Sequence, residues 1–332
     1  MIMKRLLLIL LSLLCGGYAA SGQKTFSDGS DAVARQVDGI YVSGLRYLAA
    51  KQSEKGDFAS LQYGSEPAVV GFAVIAMLAH GDDPNYGPYA THIRRGLGFI
   101  LSEMNEQTGY IGRTMYNHGF ATLALAEAYG AVNDARLGPA LKKAVQLILD
   151  SQEGNPEGAW RYNPDSVDAD TTVSGAQMVA LFAARNAGIA VPEKAIEKGL
   201  DYFRKCQAAE GGFGYTNSSG PNAPRTAIGC LVMILAKKKN TEMYKKAFEF
   251  LESTPRSGHY HYYYLYYGAQ TYFHHSPSAW RKWNQENIAA LRTTQNADGS
   301  WEGQFGPVFS TSTALLSMAL NYRFLPIYER QE

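Results

Sequence analysis

The chain lacks a charge imbalance. Its 31 Lys and Arg residues face 30 Asp and Glu, for a formal net charge of +1, and no segment concentrates basic residues. Such a surface gives no electrostatic footprint for nucleic acid or for an anionic membrane, so neither is expected as a partner. Cysteine is also scarce, with only Cys15, Cys206 and Cys230 in 332 residues. One disulfide, between Cys206 and Cys230, is the most the mature chain could form in an oxidising compartment. Both lie inside expected helices, where buried thiols are the commoner outcome. No phosphate-cradling glycine loop and no nucleophile elbow is present, which removes the simplest nucleotide-binding and serine-hydrolase readings.

No segment reads as a membrane span, and the amino terminus has the pattern of an export signal. Met1–Arg5 carries two basic residues, and Leu6–Leu14 is a nearly unbroken apolar stretch. Roughly nine apolar residues are too few to cross a bilayer, and the small residues Gly16–Gly22 offer cleavage points near Ala19 or Ala20. Residues 1–20 therefore read as a secretory signal peptide, with a secreted or periplasmic mature protein and no integral span after processing. A lipoprotein anchor at Cys15 is disfavoured because Leu14 stands where a lipobox carries a small residue.

The remainder is that of a folded globular protein, 46% hydrophobic and 12% aromatic, and it repeats. Segments beginning at Gly44, Gly96, Ala144, Gly199, Ala247 and Asn287 recur at intervals of roughly 40 to 55 residues. Each is the second half of an amphipathic helix: Ala195, Ile196, Gly199, Leu200 and Phe203 share one face, leaving Glu193, Lys194, Glu197 and Lys198 to water. A polar turn follows, closed by an aromatic, as in Gln52-Gly56-Phe58, Gln152-Gly158-Trp160, Gln207-Gly211-Phe213 and Gln295-Gly299-Trp301. The copies at Gly109 and Gly258 are degraded. Next comes a helix apolar nearly all round, such as Met178–Ala184 or Cys230–Ala236, which belongs inside. Gly71, Gly119, Gly175, Gly229 and Gly268 fall at equivalent places in these inner helices, with Ser312 or a neighbour in the last, and are expected to permit close helix packing. Six outer and six inner helices in alternation imply a stacked array, and the apolar character of the first and last units favours a closed ring over an open solenoid. No linker interrupts residues 30–328, which read as one domain.

The turn QNADGSW, Gln295 to Trp301, resembles the QW motif of squalene and oxidosqualene cyclases, and QAAEGGFGY, Gln207 to Tyr215, resembles the corresponding turn of protein prenyltransferase beta subunits. The stretches DTTVSGAQMVALFAARNAGI, YYYLYYGAQTYF, AWRKWN and the terminal YRFLPIY are most similar to exported bacterial prenyltransferase/squalene oxidase repeat proteins. The resemblance spans the mature chain and implies an all-α fold, an α/α toroid of about six helical hairpins with inner helices lining a central cavity. It implies no established reaction.

Cyclases of that superfamily carry a DxDD motif whose middle Asp protonates an alkene or epoxide. The nearest match is Asp168-Ala169-Asp170-Thr171, which places Asp170 on the acid position but lacks the final Asp. Such an acid must stay protonated through desolvation or a neighbouring carboxylate, and Asp168 is the candidate neighbour. The competing role for Asp170 is to cap an inner helix, where a carboxylate meets free N–H groups and the positive end of the dipole. Glu66 occupies the equivalent place in the first unit. The aromatic run His259–Tyr267 supplies His259, Tyr263 and Tyr267 as candidate ligand-binding residues, suited to a carbocation, an ammonium or a sugar ring, or else to core packing. His118 is a further candidate, with a structural histidine as its alternative.

A zinc prenyltransferase would need an Asp two residues before a Cys, and this chain has Ile228 before Cys230 and Arg204 before Cys206. No metal and no cofactor is expected. Three functions remain open: an isoprenoid enzyme or binder, a carbohydrate-active or carbohydrate-binding toroid using Glu66, Asp168 and Asp170, and a non-catalytic envelope scaffold. Export predicts a mature amino terminus immediately after Ala19 or Ala20, which mass spectrometry of the intact secreted protein measures.

Overall fold

The computed structural model describes residues 31–255, 258, 260–322 and 325, so the expected signal peptide, Cys15, His259 and most of the terminal YRFLPIY stretch lie outside the described residues. Among the described residues the chain forms twelve helices: α1 (Asp31–Lys51), α2 (Pro67–His80), α3 (Ala90–Ser102), α4 (Met115–Ala128), α5 (Leu137–Gly154), α6 (Thr171–Asn186), α7 (Glu193–Cys206), α8 (Ala223–Leu235), α9 (Glu242–Ser253), α10 (His261–His275), α11 (Pro277–Thr294) and α12 (Gly306–Ala319). The odd-numbered helices are the amphipathic outer layer. In α7 the expected face of Ala195, Ile196, Gly199, Leu200 and Phe203 is buried, while Glu193 and Lys194 are exposed. Even-numbered helices are buried almost throughout; in α2 every residue but Ala68 is buried.

Each inner helix packs against the next, and α12 returns to α2, so the inner layer closes on itself. The outer layer closes too, with α1 resting on α12 and touching α11. This is the expected all-α toroid. None of the described helices is long and apolar enough to cross a membrane.

Glycine sets the approach of the two layers. A Cβ added at Gly96 would lie 2.5 Å from Val74, one at Gly199 would lie 2.4 Å from the Met178 sulfur, and one at Gly44 would lie 2.8 Å from Leu315. Each outer helix therefore presses on the inner helix before it, and α1 does so across the closure. Between inner helices the expectation holds for three of the five glycines: a Cβ at Gly71 would meet the Phe120 carbonyl at 3.0 Å, at Gly119 the Gln177 amide at 2.5 Å, and at Gly175 Ile228 at 2.1 Å. Gly229 and Gly268 differ. Their added Cβ atoms would meet Phe213 and Tyr264, so those glycines accommodate aromatic rings of their own unit.

The turn after an outer helix has a common construction. The Gln52 amide donates to the carbonyls of Gly56 and His92, each at 3.1 Å. Gln152 bridges Gly158 and Ala195, both at 2.8 Å, and Gln207 bridges Gly211 at 2.9 Å and Met243 at 2.8 Å. Gln295 bridges Gly299 and Ile40, both at 3.0 Å, and thereby ties the last unit to the first. In the second unit, which has no such glutamine, the Lys143 ammonium donates instead to the Glu106 carbonyl at 2.7 Å. The turn aromatics fill the seam, and Trp160 and Trp301 are fully buried with their indole N–H groups donating to Ile148 and Leu291. Cys206 and Cys230 are free, buried thiols, so no disulfide forms between them.

The glycine of the closing turn has two reasons to be glycine. Gly299 has φ +91°, and a Cβ there would sit 2.3 Å from the Ser43 carbonyl oxygen. Gly188, at the end of α6, shares the left-handed backbone with φ +83° but has open space around it. Gly188→Ala is therefore expected to cost only the backbone penalty of about 1 kcal/mol, and Gly299→Ala a further ~1–3 kcal/mol from the steric conflict at the closure. Urea unfolding of the two variants beside the wild type measures the difference.

Candidate functional site

The first turns of all six inner helices border one cavity of about 740 Å³. Ten of its twenty lining residues are aromatic, against one carboxylate, Glu66, and one cation, Arg225, which makes it an apolar vessel with a sparsely charged rim. Its base is closed by rings that meet across the centre: Phe72 lies 4.5 Å from Phe120, 5.0 Å from Tyr266 and 5.5 Å from Phe309, centroid to centroid. Tyr266 also reaches Phe120 on the opposite side of the ring at 6.5 Å.

The helix starts differ in how their N–H groups are met. Thr114, Asp170 and Asn222 cap α4, α6 and α8 through side-chain oxygens. Glu66, Tyr260 and Phe305, at the starts of α2, α10 and α12, make no side-chain cap. Glu66 is thus released from the capping duty its position suggests; its Oε2 accepts from the Asn117 amide at 2.5 Å and it faces the cavity. It also borders a second, more polar groove of about 700 Å³ beside Asp57, Glu103 and Arg113.

Asp170 caps α6 and is fully buried. Its Oδ1 accepts from the N–H groups of Thr172 and Val173, both at 2.8 Å, and from the Thr172 hydroxyl at 2.6 Å. Its Oδ2 has no hydrogen bond and lies 3.6 Å from the Arg161 guanidinium. Burial pushes its pKa up, against the hydrogen bonds from Thr172 and Val173 and the charge of Arg161, which pull it down. The carboxyl does not itself line the cavity. Thr172 does, and its hydroxyl bonds to the phenol of Tyr116, also on the wall. With Asp170 ionised the single Thr172 hydrogen goes to it and Tyr116 donates to Thr172, and the three groups form one chain from the buried acid to the cavity surface.

Asp168 is not the neighbour that the sequence suggests. Its side chain is 65% exposed and pairs with Arg161 at 3.5 Å, so a guanidinium stands between the two carboxylates, and desolvation rather than a second acid raises the pKa of Asp170. Arg161 stacks over Tyr162 and Tyr215, at 4.8 and 5.1 Å from their centroids, and the phenols of those tyrosines bond to each other at the rim.

His118 is not brought to the cavity. Its Nδ1 accepts from the Ile111 N–H at 3.1 Å and its Nε2 donates to the Ala144 carbonyl at 2.9 Å, so the neutral ring joins the second turn to α5. Ser174, Thr226 and Thr311 accept the corresponding N–H groups of Trp160, Phe213 and Trp301 in three other units, each at 3.1 Å. Tyr263 lines the cavity, and Tyr267 stands behind it, edge to face at 5.2 Å. Arg161, Tyr116, Thr172 and Arg225 are site residues that the sequence reading passed over. Arg161 was the most accessible of them, since it falls between the turn aromatic Trp160 and the Asp168–Asp170 pair.

A ring of six helical hairpins around an aromatic cavity at the amino ends of its inner helices defines an α/α toroid. The chain belongs to the family described as Domain of unknown function (DUF6288), whose model matches residues 38–317. Among solved structures it is similar to the type II terpene cyclase MstE from Scytonema, in complex with geranylgeranyl dihydroxybenzoate, at 14% identity and TM-score 0.60, covering 88% of this chain and 98% of that one. It is also similar to the alpha-1,6-mannanase GH76A of Salegentibacter sp. HEL1_6, in an inactive variant with alpha-1,6-mannotetrose, at 9% identity and TM-score 0.65, covering 87% and 99%. A family 76 glycoside hydrolase from a bovine Bacteroides thetaiotaomicron strain matches at 10% identity and TM-score 0.64, covering 87% and 78%. At such identities the likeness establishes the fold. No curated protein matches the sequence.

The His118 bonds require the neutral ring, and burial lowers its pKa from 6.5 to about 4. Between those values the unfolded chain binds a proton that the folded one refuses, so stability falls as pH drops from 6.5 towards 4, by up to about 3 kcal/mol from this group. His118→Asn can keep an acceptor and a donor without titrating. Its unfolding free energy, measured across that window, is expected to lack this component.

Proposed function

We propose that the protein is an exported toroid that binds an isoprenoid-like apolar molecule in the central cavity, with Asp170 as the acid that acts on it. The observation that carries this reading is the wall itself: Phe72, Phe120, Tyr263 and Phe309 form a continuous aromatic surface deep in the cavity, and Glu66 is the one carboxylate that faces it. Aromatic faces suit both an apolar chain and a developing positive charge. Burial raises the pKa of Asp170, as proton donation to an alkene demands, and the Thr172 and Tyr116 hydroxyls connect it to the wall. Delivery of a proton from Asp170 runs that chain in the reverse sense: the protonated acid donates to the Thr172 oxygen, Thr172 donates to Tyr116, and Tyr116 gives its own proton to the alkene, while the charge left on Asp170 is met by the Thr172 and Val173 N–H groups and by Arg161. The terpene cyclase among the structural neighbours binds a geranylgeranyl compound, which supports an isoprenoid-sized occupant.

A glycan is the second reading. The partly exposed rings of Tyr63, Tyr162 and Tyr260 at the rim offer stacking faces for sugars, and the mannanase neighbour binds an oligosaccharide. Against it, glycosidic chemistry uses two facing carboxylates, and here Asp168 turns to solvent while Asp170 lies behind the wall.

Mass spectrometry of molecules extracted from the purified mature protein separates the readings. An isoprenoid-class lipid is expected, and Asp170→Asn is expected to retain it in a different chemical form. Recovery of an oligosaccharide alone favours the glycan reading, and recovery of neither favours a non-catalytic scaffold. An unchanged lipid with lowered thermal stability leaves Asp170 its capping role alone.

A further inference from the structure

Among the described residues the cavity wall holds one cation, and no carboxylate forms an ion pair with it. Arg225 stands in the first turn of α8, partly buried, with its guanidinium 5.9 Å from the Tyr215 centroid. One of its terminal nitrogens donates to the Gly220 carbonyl, and its Nε is buried without a hydrogen-bond partner. Among the described residues no carboxylate lies within 4.0 Å of it, whereas Arg161, on the same side of the ring, has two. Holding an unpaired guanidinium in a half-dry wall costs free energy, and an anion delivered to that point recovers it.

The surrounding field has the same sign. The first turns of the six inner helices converge on the cavity, so the partial positive ends of their dipoles do as well, and α2, α10 and α12 have no side-chain cap. The Glu66 carboxylate, immediately before α2 and bonded to Asn117, is on a different part of the wall from α8. Desolvation lowers the pKa of Arg225, with Tyr215, Tyr260 and Asp170 pulling the other way, as for a cation short of a close partner.

We infer that Arg225 is an anion-binding residue, and that the ligand is an amphiphile whose apolar chain lies on the Phe72–Phe120–Phe309 floor while a carboxylate head pairs with this guanidinium at the rim. The inference rests on the apolar reading of the cavity and names the ligand class within it. A single guanidinium facing one wall carboxylate suits a monoanion, and its planar fork matches a carboxylate. A diphosphate would bring more negative charge than the wall can neutralise.

Retinoic acid and retinol share one isoprenoid chain and differ in the head group, which makes them direct probes. Displacement of the neutral fluorophore N-phenyl-1-naphthylamine from the mature protein, at about pH 7.5 where a carboxylate is ionised, gives both affinities. The acid is expected to bind about tenfold more tightly than the alcohol. In Arg225→Gln that ratio is expected to fall to near one, in Arg225→Lys to be partly kept, and in the surface control Arg204→Gln to be unchanged. Circular dichroism confirms that each variant is folded, and Arg225→Lys decides the matter if Arg225→Gln is not. Equal binding of acid and alcohol by the wild type, or a preference that survives in Arg225→Gln, overturns the carboxylate assignment while leaving the apolar cavity standing. Failure of the fluorophore and of both retinoids to bind overturns the two together.

Discussion

A primary amide that donates to two carbonyls at once is the constraint on which this ring depends. Gln52, Gln152, Gln207 and Gln295 each hold their own turn and the backbone of the following outer helix in one grip. Both acceptors are main-chain atoms, so the step from one hairpin to the next is fixed whatever side chains surround it. The glycine in the same turn lets the two backbones approach: a Cβ at Gly56 would fall 2.0 Å from the Arg95 carbonyl oxygen and one at Gly211 would fall 2.3 Å from that of Lys246. Repetition of one step brings the sixth hairpin back to the first, and the bond from Gln295 to Ile40 is the same bond closing the circle.

Closure is what creates a site. Because the inner helices all run the same way, their first turns gather at one mouth, and the residues near each start become neighbours although they are far apart in sequence. The α4, α6 and α8 side contributes Tyr116, Thr172, Tyr215 and Arg225, with Asp170 and Arg161 behind, and is polar. The α10, α12 and α2 side contributes Tyr263, Phe305, Phe309 and Phe72, together with the one lining carboxylate, Glu66. The cavity thus sets its cation and its carboxylate on different walls over a shared aromatic floor, and the arrangement arises from hairpins of a common design.

The architecture was legible in the sequence because it is built from local periodicity. An amphipathic helix, a Gln–Gly–aromatic turn and an apolar helix each show in a short window, and together they recur. The site was less so. Asp170 could be singled out by its motif, yet only coordinates show that it lies one residue layer behind the wall and that Arg161 separates it from Asp168. Arg225 has no motif at all; what distinguishes it is that, among the described residues, no carboxylate lies within 4.0 Å of it, which only coordinates show. His118 could have been placed correctly, for it stands immediately before Gly119 as Ser174 stands before Gly175 and Thr311 before Ser312, and all three accept a turn N–H. Gly229 and Gly268 show the reverse case, where an alignment of small residues concealed two different neighbours.

The rings that meet across the centre, Phe72 with Phe120 and Tyr266, make the toroid blind at its lower end. Among the described residues the way in is therefore at the amino ends of the inner helices, and an amphiphile of the kind proposed would enter greasy end foremost and depart in reverse, last in and first out. A long polymer cannot be threaded through such a vessel, and only a terminus or a whole small molecule can reach its depth.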